Sequence, residues 1–326
     1  MHSQNQLANK MRDAILIAGP TASGKSGLAL AIAEHIDKDL QAQAEIINAD
    51  SMQVYAELPT LTAAPRAEDK ARCPHLLYEH IALDQAYSVG HWYKQAMRAV
   101  QEAKDQGHVP IIVGGTGLYF KALTHGLVDI PDIAPDIRKQ LSQDLERLGL
   151  AGLQSELEAV DPASAARVHA NDKQRILRAL EVFRATGKSL TDWHASPHKP
   201  PLEGDIAKIC LMPERDWLYE RCDRRFEQMI HAGVIDEVRA VAAKVALGRS
   251  AGNILGLAEL LEHLAGNLSL EAAISQAQQQ TRRYAKRQMT WFRNQMIAWN
   301  VLDAKDYYHK QDVIFSIITK NDLTQT

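Results

Sequence analysis

The sequence predicts an α/β fold, a P-loop-type parallel sheet core flanked by helices with an inserted all-helical domain, and three observations carry that prediction. Gly19 to Ser26, read as Gly-Pro-Thr-Ala-Ser-Gly-Lys-Ser, fit G-x-x-x-x-G-K-[ST] at every fixed position. The apolar run Ile15-Leu16-Ile17 before them reads as a buried strand, and the Ala/Leu-rich stretch from Gly27 to His35 after them reads as a helix. This is the strand-loop-helix context a phosphate-binding loop requires. Between about Thr124 and Ile206 the pattern is helical with no strand-like run, which is most simply an insertion into the core. The expected boundaries are 1–123 with 202–326 for the core and 124–201 for the insertion.

The loop itself states a chemistry. Backbone N–H groups of Gly19, Pro20, Thr21, Ala22, Ser23 and Gly24, proline excepted, can turn inward on an anion, and the following helix N-terminus adds partial positive charge. Lys25 reaches the outer phosphates and the Ser26 hydroxyl suits Mg²⁺. Whose phosphate is held is not stated by the motif.

Taken in order, Met1 to Asp13 is polar and without period, and it reads as a fraying end. Glu45 to Ala49 reads as a second strand ending at Asp50-Ser51, and ligands bind at the carboxyl edge of parallel sheets. Asp50 is therefore a candidate for chemistry, with a helix N-cap as the alternative. Met52 to Leu83, with Pro59, Pro65 and Pro74, reads as a long irregular connection. Val89 to Gly107 is helical, and its Trp92, Ala96, Ala99, Val100 and Ala103 are spaced for a core face. A third strand, Val109 to Val113, runs into Gly114-Gly115-Thr116-Gly117. Phosphate-loop nucleotidases usually place an Mg²⁺-binding Asp at such a strand end; here there are glycines and a threonine.

Leu141 to Ala159 and Ala163 to Ala185 read as amphipathic helices, with breaks at Gly149, Gly152 and Pro162. Arg167 to Lys188 carries six basic residues against two acidic ones, for which a solvated face is the plainer account. Pro197 to Pro201 reads as the exit from the insertion and Ile206 to Met212 as a fourth core strand. The helix Trp217 to Ile230 puts Arg221 and Arg225 on one face at i, i+4. They either clamp a phosphate or pair with Glu214, Glu220 or Asp223. Thr281 to Arg293 interleaves five basic residues with three aromatics and no acid, a pattern suited to RNA. Its stripe Tyr284, Gln288, Trp291 would equally serve a core-facing helix. Ile297 to Leu302 reads as a last strand, and the tail beyond Asp303 carries no motif.

Composition bounds the rest. The 326 residues are 46% apolar and 24% charged with a net charge of -3, which argues against disorder and against a globally basic nucleic-acid binder. Three cysteines, Cys73, Cys210 and Cys222, with no C-x-x-C spacing, point to a reducing compartment and away from zinc. No apolar run approaches membrane-helix length, and the N-terminal apolar stretch ends in the phosphate loop, not at a cleavage site. The expectation is a cytoplasmic protein with no membrane partner.

With these stretches in hand, the chain resembles the bacterial tRNA dimethylallyltransferase (tRNA isopentenyltransferase) family over about residues 14 to 296. The carrying segments are 19–26, Asp-Ser-Met-Gln-Val-Tyr at 50–55, Val-Gly-Gly-Thr-Gly-Leu-Tyr-Phe at 113–120, Asn-Asp-Lys-Gln-Arg-Ile-Leu-Arg-Ala-Leu-Glu-Val at 171–182 and Lys-Arg-Gln-Met-Thr-Trp-Phe-Arg at 286–293. The resemblance implies transfer of a dimethylallyl group from dimethylallyl diphosphate to the exocyclic amine of the adenosine 3′ of the anticodon, with diphosphate released. It implies catalytic roles for Asp50 as general base, Thr116 beside the amine, and Lys25 and Ser26 at the diphosphate; Arg221 and Arg225, from their spacing on one helix face, are the further diphosphate candidates. It implies tRNA contacts by Asp50, Ser51, Met52, Gln53, Thr116, Arg138, Gln174, Arg175, Arg178, Lys286, Arg287, Trp291 and Arg293, to which the charge pattern adds Arg282 and Arg283. It makes the insertion a tRNA-binding domain, and the expected set is then tRNA, dimethylallyl diphosphate, Mg²⁺ as cofactor and a monomeric chain.

Departures are visible too. Glu57, Leu61 and Ala64 stand where the family commonly has two glycines and a lysine, and Asn253 to Ala258 lacks the aromatic and both cations of the family's Arg-x-x-Gly-Tyr-[Lys/Arg] segment. The competing readings are a small-molecule or nucleoside kinase, a degenerate RNA-binding protein without the reaction, and prenylation of free adenine nucleotides. The strand-terminal glycines count against the kinase, and the insertion and Lys286 to Arg293 favour tRNA.

Overall fold

Strands of five or six residues, buried on both faces, form the centre of the sheet. The computed structural model describes residues 11–196, 198–199, 201–242, 251–305 and 311–319. Its strands are β1 (Ala14–Ala18), β2 (Ala44–Asn48), β3 (His75–Leu76), β4 (Val109–Gly114), β5 (Leu127–Val128), β6 (His198–Lys199), β7 (Ile206–Leu211) and β8 (Asn300–Leu302). Every residue of β1, β2 and β4 is buried, as expected of central strands covered on both sides. Six strands form one sheet in the order β3-β2-β4-β1-β7-β8, each pair parallel.

The helices are α1 (Lys25–Leu40), α2 (Pro59–Thr62), α3 (Ala67–Arg72), α4 (Val89–Asp105), α5 (Gly117–His125), α6 (Pro135–Val160), α7 (Pro162–Arg167), α8 (Lys173–Thr186), α9 (Leu190–His194), α10 (Arg215–His231), α11 (Val234–Ala242), α12 (Leu257–Leu264), α13 (Leu270–Gln295) and α14 (Gln311–Ile318). Two compact units result, Met1–Thr124 with Leu202–Thr326, and His125–Pro201.

In the first unit, alternate strand residues Ile15, Ile17, Ile46, Ile111, Val113 and Ile209 pack with Leu28, Ile32 and Ile36 of α1 and with Ile314 and Ile318 of α14. The tail beyond Asp303, which carries no motif, thus helps to cover the sheet. α4 packs on β2 and β4, and its Trp92 donates to the Asn48 carbonyl at 2.7 Å. A separate apolar cluster joins Val54, Tyr55, Leu58 and Leu61 to Phe226, Met229, Val238, Ile254 and Leu257. It ties the connection after β2 to the helices α10 to α13.

That connection is more ordered than its prolines predict. α2, α3 and the edge strand β3 lie within it, and β3 is seen only because its two residues pair with Ile46 and Ile47, a tertiary contact with no local pattern. The N-terminal segment is also anchored from residue 11: Met11 bridges Thr319, and Arg12 donates to the Ile317 carbonyl at 3.2 Å and pairs with Asp205. Residues 1–10 of the segment expected to fray lie outside the described residues.

Among the described residues, the regular structure of the second unit is helical apart from a two-residue antiparallel pair, β5 with β6, near its two ends. The single helix expected over Ala163 to Ala185 is two, α7 and α8. Asp161 caps the first through the Ser164 N–H at 3.0 Å and Asp172 the second through the Arg175 N–H at 3.2 Å, so each carboxylate starts a new helix. Gly149 kinks α6 with φ 68° and ψ 176°, whereas Gly152 stays helical. Leu141, Leu153, Leu157, Ile176 and Leu180 form this unit's core. Pro197 and Pro200, in the expected exit, lie outside the described residues.

Candidate active site

The strand order decides what meets what. Because β4 lies between β2 and β1, the residues after β4 sit between Asp50 and the phosphate loop, all at the carboxyl edge. The register pairs Ala18 with Gly114 and Asn48 with Val113, so the three loops leave the sheet at one level. The crowding there explains the two glycines: a β-carbon on Gly114 would lie 2.0 Å from the Ala49 carbonyl oxygen, and one on Gly115 would lie 3.2 Å from Asp50 Oδ2.

Gly19 to Gly24 form the cradle. Gly24 precedes α1 in the left-handed region, φ 93°, with no side chain capping the helix, which leaves the first N–H groups of α1 open to an anion. Ser23 Oγ is buried without a hydrogen-bond partner among the described residues, a group that a bound phosphate would satisfy. Lys25 is 8% exposed and its ammonium lies 3.4 Å from the Pro20 carbonyl. Burial drives its pKa down to about 8, against the attraction of Asp50 and together with repulsion from Arg225. A buried cation of this kind is completed by a bound anion.

Arg221 and Arg225 form none of the ion pairs offered as their alternative. Arg221 stacks on Trp217 at 4.7 Å and donates to the Ala22 carbonyl at 2.8 Å, while Arg225 donates to Thr21 Oγ1. Both therefore brace the phosphate loop from outside the sheet. Asp223 and Glu214 are occupied by Arg282 and Lys305. Burial lowers the pKa of Arg225, placing a second poorly solvated cation beside Lys25.

Asp50 caps no helix. Its Oδ1 accepts the Met52 N–H at 3.0 Å, and its backbone is bracketed by Asn48, whose side chain accepts the Asp50 N–H at 2.8 Å and donates to the Asp50 carbonyl at 3.0 Å. Thr116 Oγ1 accepts the Ser51 N–H at 2.9 Å and donates to Ser51 Oγ at 3.2 Å, so Thr116 and the Asp50 loop are held as one piece. Gln53 donates to the Thr62 and Ala63 carbonyls at 3.1 and 2.6 Å, which commits its amide to the connection after β2.

The residue that pattern reading left ambiguous is Gln288. Buried on α13, it accepts the Thr21 N–H at 2.8 Å and donates to the Gly115 carbonyl at 2.7 Å, joining the cradle to the loop between it and Asp50. The signal available in the sequence was a polar residue on the inward stripe of a basic helix. Asn48 was equally unmarked, one residue before the Ala-Asp step. Phe226 and Met229, which with Thr21, Asp50, Arg225, Met52, Leu61, Ile254 and Tyr284 line a cavity beside the cradle, carried no mark in the sequence.

Other predicted contacts are placed on the outer face of α13 and in the second unit. Arg283, Lys286, Arg287 and Trp291 line a groove along α13, with the Arg287 guanidinium 5.6 Å from the Tyr284 ring, and Arg293 is exposed. The stretch has no acid of its own, but Asp223 reaches Arg282 from α10. In the second unit, Gln174, Arg175 and Arg178 are exposed on α8. Glu181, nearly buried, binds both Arg138 and Arg178, and Arg175 pairs with Asp172 at 3.4 Å. Arg184 is locked between Asp144 and Glu156, so part of the basic run is structural.

No group of three or more His, Cys, Asp or Glu that could hold a metal occurs among the described residues. The donor set fits an Mg²⁺ carried by phosphate oxygens, with the exposed Ser26 hydroxyl beside the cradle as a protein ligand, because Mg²⁺ needs few side chains when phosphates and water complete its shell. No described helix is long and apolar enough to cross a membrane.

Comparison with known proteins bears on this geometry. The family described as IPP transferase matches residues 53–295. A tRNA dimethylallyltransferase of Phenylobacterium zucineum is 46% identical over 293 residues, 90% of this chain and 93% of its own. That of Parvibaculum lavamentivorans is 46% identical over 319 residues, 96% and 98% of the two chains. Among solved structures, the tRNA isopentenylpyrophosphate transferase of Bacillus halodurans superposes with a TM-score of 0.64 at 33% identity, covering 94% of this chain and 96% of that one. A eukaryotic dimethylallyltransferase acting on tRNA superposes with a TM-score of 0.79 at 27% identity, covering 93% and 78%.

Proposed function

The chain belongs to the IPP transferase family and is an enzyme that transfers a dimethylallyl group to tRNA; on that premise we propose that the donor is dimethylallyl diphosphate, the acceptor the exocyclic amine of the adenosine 3′-adjacent to the anticodon, and the residues acting those described above. The observation that carries the assignment of roles is the Gln288 bridge, which sets a phosphate cradle and a buried carboxylate on either side of one loop.

In this reaction the amine nitrogen forms a bond to C1 of the donor as the C1–O bond breaks, diphosphate leaves with the bond pair, and the amine gives up one proton. Each residue has a part in that exchange. The open N–H groups of the cradle, Lys25 and Arg225 stabilise charge that grows on the departing oxygen, and donors fixed before the reaction stabilise it without reorganising. Asp50 accepts the proton; an adenine amine is a weak nucleophile, and general-base help is typically worth about 10² to 10⁴ in rate. Thr116, locked to Ser51, orients the amine beside Asp50. The Ser26 hydroxyl would hold Mg²⁺, which when bound would supply further positive charge to the leaving group. The apolar side of the cavity receives the dimethylallyl carbons.

The tRNA contacts fall to the exposed cations. Arg283, Lys286, Arg287 and Arg293 with Trp291 on α13 present charge and a stacking plane, and Arg138, Arg175 and Arg178, with the neutral amide of Gln174, offer charge and hydrogen-bond donors in the second unit. Turning the adenosine out of its stack costs a few kcal/mol, least in an already unpaired loop, and such contacts offset it. The kinase and free-nucleotide readings have no observation in their favour beyond the phosphate loop.

Incubation with dimethylallyl diphosphate, Mg²⁺ and unmodified tRNA, followed by digestion and mass spectrometry, tests the assignment. One adenosine beside the anticodon should gain the five-carbon mass with release of one diphosphate. ADP formation with a small acceptor and no change in the tRNA would overturn it.

A further inference from the structure

We propose that Glu181 joins Arg138 and Arg178 into a single seat for one phosphate of the tRNA backbone, a positioning role that rests on tRNA being the substrate. Arg138 stands at the start of α6 and Arg178 within α8, so nothing along the chain relates them. Glu181, three residues after Arg178, brings them together. One of its carboxylate oxygens accepts from Arg138 Nε and the other from Arg178 Nη1, the latter at 2.8 Å.

Burial separates the acid from its partners. The Glu181 side chain is 9% exposed, whereas those of Arg138 and Arg178 are 46% and 45% exposed. Beside Glu181 on α8, Ile176, Ala179 and Leu180 pack with Leu141 of α6 in the core of the second unit. A carboxylate held at that depth needs a counter-charge, and one guanidinium supplies it. The second is surplus. The other ion pairs among the described residues of this unit balance, Asp172 against Arg175, and Asp144 with Glu156 against Arg147 with Arg184. The Glu181 cluster alone among them carries a net positive charge, and neither of its arginines makes another ion pair among the described residues.

Surplus charge and fixed donors are what a phosphate diester requires. Arg138 commits its Nε and Arg178 one Nη to Glu181, and each guanidinium has further N–H groups for the oxygens of a phosphate, which such forks fit. Holding both forks against one carboxylate removes rotamer freedom that free arginines would otherwise lose on binding. It also couples them. With either arginine removed, Glu181 neutralises the one that is left, and the seat has no net charge. Arg138 and Arg178 therefore act as one contact and not as two.

The test measures binding of one unmodified tRNA to the whole chain over a range of salt, for the wild type, Arg138→Gln and Arg178→Gln. Each substitution should lower the salt slope by about 0.7 to 0.9 and weaken binding about five- to eightfold at 0.1 M salt, the contribution of one phosphate contact. An unchanged slope in either variant overturns the seat. Ethylation interference on the tRNA locates the contact: ethylating one backbone phosphate should weaken binding to the wild type, and both variants should be indifferent at that same phosphate. Indifference at two different phosphates overturns the shared seat. Glu181→Gln makes the cluster more positive, so an acid that merely neutralised would give tighter binding when removed. The seat predicts weaker binding, and an affinity equal to or above the wild type overturns the positioning role. Should Glu181→Gln not fold, the interference patterns of the two arginine variants decide, because each keeps Glu181 paired with one arginine. A wild type that does not bind tRNA refutes the substrate itself, an outcome separate from a wild type that binds and variants whose slopes do not move.

Discussion

Gln288 offers the sharpest test of how the site is held together. Its carboxamide makes two buried hydrogen bonds, one from the Thr21 N–H and one to the Gly115 carbonyl. In Gln288→Ala both backbone groups lose their partners, and each buried unsatisfied group costs about 1–3 kcal/mol, so the variant should be destabilised by about 2–6 kcal/mol. Gln288→Glu keeps the volume and the acceptor for Thr21 but turns a carboxylate oxygen toward the Gly115 carbonyl, removing one bond and adding repulsion. Either change lets the cradle and the Asp50 loop drift apart, and a misplacement of about 1 Å costs roughly 10²-fold in rate. Urea unfolding reads the first effect; single-turnover prenylation of tRNA at saturating donor reads the second. The expected pattern is a midpoint shift with unchanged tRNA affinity and a rate lowered by about 10²-fold. A folded Gln288→Glu protein with a rate within about threefold of wild type would refute the reasoning, because the bridge would then align nothing that the reaction uses.

Asp50→Asn should lower the single-turnover rate by about 10² to 10⁴ while tRNA still binds, as filter binding would show; a smaller loss would remove Asp50 from the base role. Lys25 titrates near pH 8 in the free protein because burial disfavours its charge, and a bound diphosphate restores the proton. Affinity for inorganic diphosphate, measured by calorimetry, should therefore fall by up to about tenfold per pH unit above about 8, and Lys25→Met should abolish that slope. The same depressed value means the folded chain holds fewer protons than the unfolded one between pH 8 and 10.5, so stability attributable to Lys25 rises with pH across that window and is lost as pH falls through 8. Arg283, Lys286 and Arg287 make no ion pair among the described residues, and replacing any one should reduce the salt slope of tRNA binding by about 0.7 to 0.9. Arg282, already paired with Asp223, should change it less.

The outline of the core was legible in the residues because its signals are local. A glycine-rich loop between an apolar run and a helix needs no distant partner to be recognised, nor does Asp50 at the end of β2. The helical insertion was visible for the same reason, as a long absence of strand pattern between two core strands. The short elements were not: β3 exists only through pairing with Ile46 and Ile47, and the break between α7 and α8 depends on which carboxylates cap.

What the sequence by itself determined is the set of groups available, namely a glycine-rich loop of phosphate-binding pattern, a carboxylate at a strand end and a basic helix bearing aromatics. Tertiary structure alone decided how these are used. Residues 21, 50, 115 and 288 are far apart along the chain, and only the order β2-β4-β1 places their loops side by side. Periodicity marks a face as inward without naming what it meets, so Gln288 reads as core until Thr21 and Gly115 are found on either side of it. Charge behaves the same way. Arg221, Arg225 and Arg282 look alike on paper, yet two brace the cradle and the third is held by Asp223, because hydrogen bonds and ion pairs act over a few ångströms of space and not along the chain.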